Sequence, residues 1–539
     1  MDRQNDEIET LQTLLDQACA KAEDILRRTA SLLSEFLSLR SVFQQCHDSH
    51  QRHSTVNGLP GLKGLVTSVT TEHAAVKRLL EELRAQLSAQ DRSTLSTQDK
   101  DDFRRVETLK QTCERLDCSN IYSEEAAWDV VKRCSGLEQL ASKFSLHTTI
   151  GPCSLCKGKK CPPKGKQDSK SVVHVDAVVN GGAEWLRIIG LGERRLLHEM
   201  AEMGWDWGAS DESSGDDDDD DCEVSVAVIL RQLVAAARAN RHNYRPPSLH
   251  IVFTRVAEGS DSEIDRLIRK LRSIPKHGVE IRVDCSNSEF LTSPSPPLET
   301  ALRNLVTEDL SDITSTVNLD CSILVALASD VTHSAIEKQT WHRWDVASQI
   351  DEEKKVGSTL VKALYPVLRS RRLVCTAKAA ERFWTIVDTL ATATEAARAE
   401  LILPKAGNTE KTSEELLAEL QTLSINPVDP NLRLPIEVVT PVDLTTEGRD
   451  LATDNEPRRL PRSAELISTV ASDLNRDIIL YGWLHQITTV TANNSLAKQI
   501  RLLVEEQRTD DDQAGPSIRV FPFTRALATK GRPARSELS

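Results

Sequence analysis

Apolar or small side chains recur at Ile8, Leu11, Leu15, Ala18, Ala22, Ile25, Leu32, Phe36, Leu39 and Phe43, mostly in alternating steps of three and four. At ~3.6 residues per turn this spacing lines them along one side of a single long helix, and the stripe must be buried against something. The turn-forming run Asn57-Gly58-Leu59-Pro60-Gly61 closes that helix. A second stripe follows through Leu65, Val69, Val76, Leu79, Leu80, Leu83 and Leu87. Shorter helices are expected over 103–116 and 124–144, so residues 1–150 read as an antiparallel helical bundle with Leu11, Leu15, Ile25 and Phe36 inward. The heptad-like spacing keeps a dimeric coiled coil as the alternative.

The remaining sequence changes character. The chain has 539 residues, too many for one core, and roughly three or four domains are expected. Residues 151–170 form a Lys/Cys-rich linker. Residues 171–285 alternate strand and helix patterns: a hairpin over 171–190 around the turn Asn180-Gly181-Gly182, a helix over 224–240, a strand over 249–256, a helix over 261–273 and a strand over 279–284. An acidic loop at 209–222 interrupts this α/β domain. The Ser/Pro-rich stretch at 286–314 reads as a second linker.

Residues 315–525 alternate again. Strands are expected at 316–319, 373–376, 488–491 and 518–523. Helices are expected at 322–328, 377–403, 413–423, 464–475 and 495–506. The fold class is therefore multi-domain α plus α/β, with a small middle α/β domain and a parallel α/β domain at the C-terminal end.

A net charge of −14 argues against nucleic-acid binding through the overall field, although the aspartate run at 216–221 is a local part of it. Twelve cysteines scattered through a long chain, several in apparent core segments, suit reduced thiols better than a disulfide framework. No apolar run is long enough to span a bilayer, and the first residues lack the features of a secretory or transit signal. A cytoplasmic or nuclear location is the expectation, with no membrane partner.

Two patterns resemble sites but fit poorly. Cys153, Cys156 and Cys161 supply three zinc-type ligands, with His147 or Cys134 as the possible fourth, but a lone C-x-x-C is unspecific and a lysine-rich linker is the simpler reading. Asp176 followed by Glu184-Trp185-Leu186-Arg187 approaches a restriction-type acid pattern with one residue too many. Along a strand Glu184 and Arg187 point to opposite faces, so ordinary hairpin charge is expected.

Three other passages carry more. Val317-Asn318-Leu319-Asp320-Cys321-Ser322 places a carboxylate directly after a short apolar strand. Arg372-Leu373-Val374-Cys375-Thr376 runs into a helix with Glu381 in its first turns. Thr488-Thr489-Val490-Thr491-Ala492-Asn493-Asn494 is again strand, polar turn and helix. In an open parallel sheet such strand ends share one edge, where ligands are held.

With these passages the chain resembles the eukaryotic family labelled domain of unknown function 1308, and its C-terminal part is similar to the PIN-domain nucleases. That resemblance implies a metal-dependent ribonuclease in which carboxylates at strand ends hold Mg²⁺ or Mn²⁺. It implies that Asp320 and Glu381 are the metal ligands, and that Thr491 and Asn493 position water or phosphate. The pattern is depleted: Asn493 stands where an acid is expected. Trp483 stands at the expected place of the acid before the fourth strand, with Asp473 and Asp477 upstream in a shifted register. The alternative is a non-catalytic scaffold, with the N-terminal helices recruiting a protein partner and the PIN-like module binding RNA or protein.

Overall fold

The computed structural model describes residues 2–48, 58–90, 99–147, 171–203, 224–274, 278–307, 310, 312–407, 409–439, 460–508 and 514–529. Cys153, Cys156, Cys161 and the acidic run at 216–221 lie outside these residues, so the zinc and acidic-loop readings do too.

The first stripe forms one helix, Asp2–Asp48. Leu11, Leu15, Ile25 and Phe36 are buried, as the spacing predicts. The helix Leu62–Gln90 runs antiparallel to it: Thr29 meets His73, whereas Glu23, earlier in the first helix, meets Arg84, later in the second. The helices Asp99–Asp117 and Ile121–Lys132 follow the first helix in its own direction, Lys21 pairing with Asp117 and Arg28 with Glu125. The Trp128 indole N–H then donates to Glu35 at 2.7 Å.

The helix expected over 124–144 is a correction. It stops at Lys132, and residues 139–145 form a strand. Gly136 makes the break: it has φ +57, and a Cβ there would lie 2.7 Å from the Gly181 amide nitrogen.

That strand, β1 (Gln139–Ser145), joins β2 (Val172–Val179), β3 (Glu184–Ile189), β4 (Ser248–Phe253) and β5 (Ile281–Asp284) in one sheet, in that order. The first two pairings are antiparallel and the last two parallel. One face, through Ala177, Val179, Leu186 and Val252, shares a core with the N-terminal helices. The other, through Val175, Trp185, Ile251 and Phe253, packs on the helices Glu193–Glu202, Ser225–Ala239 and Ser262–Ser273. The core thus continues across residue 150. The stretch read as a linker at 286–314 contains the helices Glu289–Thr292 and Leu298–Val306, and Leu302 and Leu305 are buried in the N-terminal core.

The C-terminal sheet contains β6 (Thr316–Leu319), β7 (Arg372–Thr376), β8 (Glu437–Val439), β9 (Thr488–Thr491) and β10 (Ile518–Val520). Its order is β10-β9-β6-β7-β8, and every pairing is parallel. The chain starts in the middle, winds outward to β8, then returns to add β9 on the other side of β6. The switch point is therefore the crevice between β6 and β9.

The single helix expected over 377–403 is two, Ala377–Leu390 and Ala393–Ile402. Thr392 caps the second one in a capping box with Glu395. The stretch expected as helix over 464–475 is a 3₁₀ segment, Arg462–Thr469, and a new helix, Asp473–Leu484, begins after Ser472. Gly482 lets that helix lie close on β9, since a Cβ there would fall 2.1 Å from the Thr489 hydroxyl. After β10 the chain forms a strap. Phe521, Phe523 and Leu527 enter the core, and the fully buried Arg525 bonds to Glu352 and Glu353. None of the described helices is long and apolar enough to cross a membrane.

Candidate functional site at the strand ends

Parallel pairing sets the ends of β6, β7 and β9 level. Asn318 pairs with Val374 and Leu319 with Val490, so Asp320, Thr376 and Thr491 follow at one edge. Asp320 is nearly buried, at 7% exposure. Its Oδ2 accepts the Thr491 hydroxyl at 2.5 Å and the Ser322 hydroxyl at 2.7 Å. Ser322 accepts the Ala492 amide at 3.0 Å. The β6 and β9 ends are thereby laced together around one carboxylate. Among the described residues its Oδ1 accepts no hydrogen bond, which leaves that oxygen available at the edge.

Thr491 and Asn493 have local work as well. The Asn493 amide donates to Thr491 Oγ1 at 3.0 Å, and Asn493 Oδ1 caps the helix Asn494–Glu506 by accepting from Leu496 at 3.1 Å. Glu381 lies on the exposed side of the helix that leaves β7, and its carboxylate has no ion-pair or hydrogen-bond partner among the described residues. Asp320, Thr491 and Asn493 are thus joined by direct bonds, whereas Glu381 is not bonded to them.

The nearest acid before β9 in the chain is Asp477. Trp483 packs in a core with Ile467, Ile479, Leu496 and Ile500. On another side of the same helix, the Ile478 carbonyl accepts from Asn318 Nδ2 at 2.9 Å, one pleat below Asp320. Asp477, next to it, is 14% exposed, and its Oδ2 is buried with no hydrogen-bond partner among the described residues. Asn318 is fully buried, and its Oδ1 is likewise unmet. Lys378, near the start of the β7 helix, lies 2.8 Å from Asp473 Oδ2 and 4.0 Å from Asp477 Oδ1. Hydrogen bonding to Asp473 raises the Lys378 pKa. Burial pushes the Cys321 thiol up to about 12, with Asp320 adding to the rise and Arg382 opposing it.

Among the described residues no three His, Cys, Asp or Glu side chains are grouped so as to hold a metal ion by themselves. In the first sheet Asp176 accepts from Arg187 and the Ile188 amide, and Glu184 turns to His250 at 3.0 Å. These groups are committed to one another.

An all-parallel sheet wound outward from β6, with an acid at its switch point, defines an open α/β domain. Residues 317–426 match the family model described as Protein of unknown function (DUF1308). The match starts on β6 and takes in Asp320, Lys378 and Glu381; Asp477, Thr491 and Asn493 lie beyond it. No curated protein and no solved structure matches the chain.

Proposed function

We propose that the C-terminal sheet is a PIN-like module that hydrolyses phosphodiester bonds, with RNA as its substrate class. The observation supporting this reading is the Asp320 carboxylate at the switch point, its Oδ2 held by Thr491 and Ser322 and its Oδ1 without a hydrogen bond among the described residues. A hard divalent cation takes oxygen ligands, so an Mg²⁺ or Mn²⁺ ion at Asp320 would have to draw most of its shell from substrate phosphate and water. Asp320 would hold it, with Glu381 on the helix that leaves β7 as the second acid, and substrate phosphate and water completing the shell. Bound there, the ion would supply stabilisation of charge developing on the phosphate.

The chain's own groups do the rest. Thr491 and Ser322 hold the Asp320 carboxylate oriented. Asn493, its Oδ1 spent on the cap, keeps Nδ2 to donate to a phosphate oxygen at a helix N-terminus. Glu381, unpaired and exposed, is the group free to take a proton from water. The scaffold reading draws support from the Lys378 ammonium, which already neutralises part of the acidic side.

The test uses the full chain, with single-stranded RNA and Mn²⁺. Cleavage and a Mn²⁺-dependent rise in melting temperature are expected from the parent protein, and both should be lost in Asp320→Asn. A parent melting temperature that Mg²⁺ and Mn²⁺ leave unchanged would remove the metal site and leave a binding module.

A further inference from the structure

We infer that the exposed side of the helix Asn494–Glu506 is a track for the backbone of single-stranded RNA, with Lys498 and Arg501 as its phosphate contacts. The inference takes its substrate class from the functional reading above and needs no bound ion.

Its basis is where that helix starts and which way its cations face. Asn493 caps the helix, its amide donates to Thr491 Oγ1, and the Thr491 hydroxyl donates to Asp320. The helix therefore begins at the Asp320 edge and runs away from it. Lys498 and Arg501 lie four and seven residues beyond Asn494, a spacing that puts all three on one side of a helix, and all three are exposed. At ~1.5 Å per residue the row is ~10 Å long. A stacked strand carries a phosphate every ~3.4 Å of its axis, so the row runs alongside about three nucleotides.

Neither cation is neutralised by its neighbours. Lys498 has no ion-pair partner among the described residues. Arg501 donates to the Arg241 carbonyl at 3.1 Å and pairs with no acid among the described residues. Glu505, one turn further on, is taken by Arg508 at 3.0 Å and by Arg241 at 3.6 Å. Positive charge continues beyond Arg501. Burial lowers the His242 pKa, and Arg501 and Arg519 lower it further against the opposing Asp312. Arg519 stands on β10, the outer strand beside β9. Glu506 lies at the far end of the helix, and the aspartates at 510–512 lie outside the described residues. In a chain of net charge −14, a row of unpaired cations leading from Asp320 is a local exception whose complement is a polyanion. Ammonium and guanidinium groups suit phosphate oxygens, and continuity with the Asp320 edge favours an RNA chain over an acidic protein.

The experiment titrates the full-length protein, in EDTA, into a labelled single-stranded RNA oligonucleotide at several salt concentrations, read by fluorescence anisotropy. Lys498→Gln combined with Arg501→Gln should weaken binding about tenfold and flatten the slope of log K against log salt by ~1.4, two contacts at ~0.7 each. Lys63→Gln combined with Lys77→Gln removes the same charge from exposed positions of the helix Leu62–Gln90 and should leave both quantities unchanged. Arg501 also bonds across the two sheets, so Lys498→Gln alone is measured too, with about half the slope change expected and the parent melting temperature retained. Equal binding by the parent and the Lys498 and Arg501 variants, or an equal loss in the Lys63 and Lys77 control, overturns the track. Polyglutamate displacing the oligonucleotide as well as unlabelled RNA does would make the row an acidic-protein surface and overturns it likewise. RNA binding through Lys498 and Arg501 with no Mn²⁺-dependent cleavage would remove the nuclease reading and leave the track. Cleavage by the double variant with the parent KM would remove the track and leave the nuclease.

Discussion

His333 is fully buried, with Nε2 2.8 Å from the Leu327 carbonyl. The carbonyl only accepts, so Nε2 carries a proton. Burial lowers the pKa of this ring to about 4, and the nearby Arg398 acts in the same direction. The consequence has a definite sign. Above the ordinary value of ~6.5 the ring is neutral in both states. Between there and about 4 the unfolded chain binds a proton that the folded one does not, so stability falls as pH is lowered through that window. Chemical denaturation should show a loss of up to roughly 3 kcal/mol between neutral pH and pH ~4 assignable to this residue. In His333→Gln that part of the slope should disappear. A variant with an unchanged pH slope would show that the ring is protonated in the folded protein. The same neighbourhood explains why Arg398, fully buried, is tolerated. It donates to Asp330 at 2.7 Å, to the Ala328 carbonyl at 2.7 Å and to the Leu423 carbonyl at 2.9 Å.

At the scale of elements, the break between the helices Ala377–Leu390 and Ala393–Ile402 is made by side chains. Thr392 accepts the Glu395 amide at 3.1 Å and Glu395 accepts the Thr392 amide at 2.9 Å. The Thr392 hydroxyl also donates to Asp330 at 2.6 Å. Glu395 further accepts the amides of Asp330 and Ala528, so this corner ties the second helix to the C-terminal strap. Thr392→Ala removes the cap and should cost about 1–2 kcal/mol in denaturant unfolding. Thr392→Ser, which keeps the oxygen, should stay within a few tenths of a kcal/mol of the parent. If the two variants unfold alike, the cap is not what fixes the corner.

At the scale of the whole molecule, the N-terminal helices and the first sheet are one packing unit. The first helix buries its stripe in the same core as Leu186 and Val252 of the sheet and Leu302 and Leu305 beyond it. A fragment of residues 1–147 would leave that core open on one side, whereas residues 1–307 close it. Circular dichroism should therefore give a cooperative melt for 1–307 and a shallow, non-cooperative one for 1–147. A sharp melt of the shorter fragment would mean the bundle is self-sufficient. The two sheets meet through the chain at 241–244: Arg501 donates to the Arg241 carbonyl at 3.1 Å, Arg508 to the Tyr244 carbonyl at 3.2 Å, and Tyr244 enters the core that holds Trp483.

Local pattern alone determined the long first helix and its inward residues. It also placed β6 and β9 and their polar ends at Asp320 and Thr491, because period and strand termination are properties of adjacent residues. It did not determine that residues 139–145 pair as a strand. That depends on a turn at Gly136 and a partner, β2, beyond the next segment of chain. Neither did it determine how the helix before β9 is turned. Asp477 and Trp483 lie six residues apart, roughly 240° around one helix, and either could have faced the strand ends. Only the packing of that helix, with Ile478 over Asn318 and Trp483 among Ile467 and Ile500, sets Trp483 in that core and Asp477 beside Lys378. Rotation of a helix about its axis is fixed by its neighbours on both sides, and those neighbours come from distant parts of the chain.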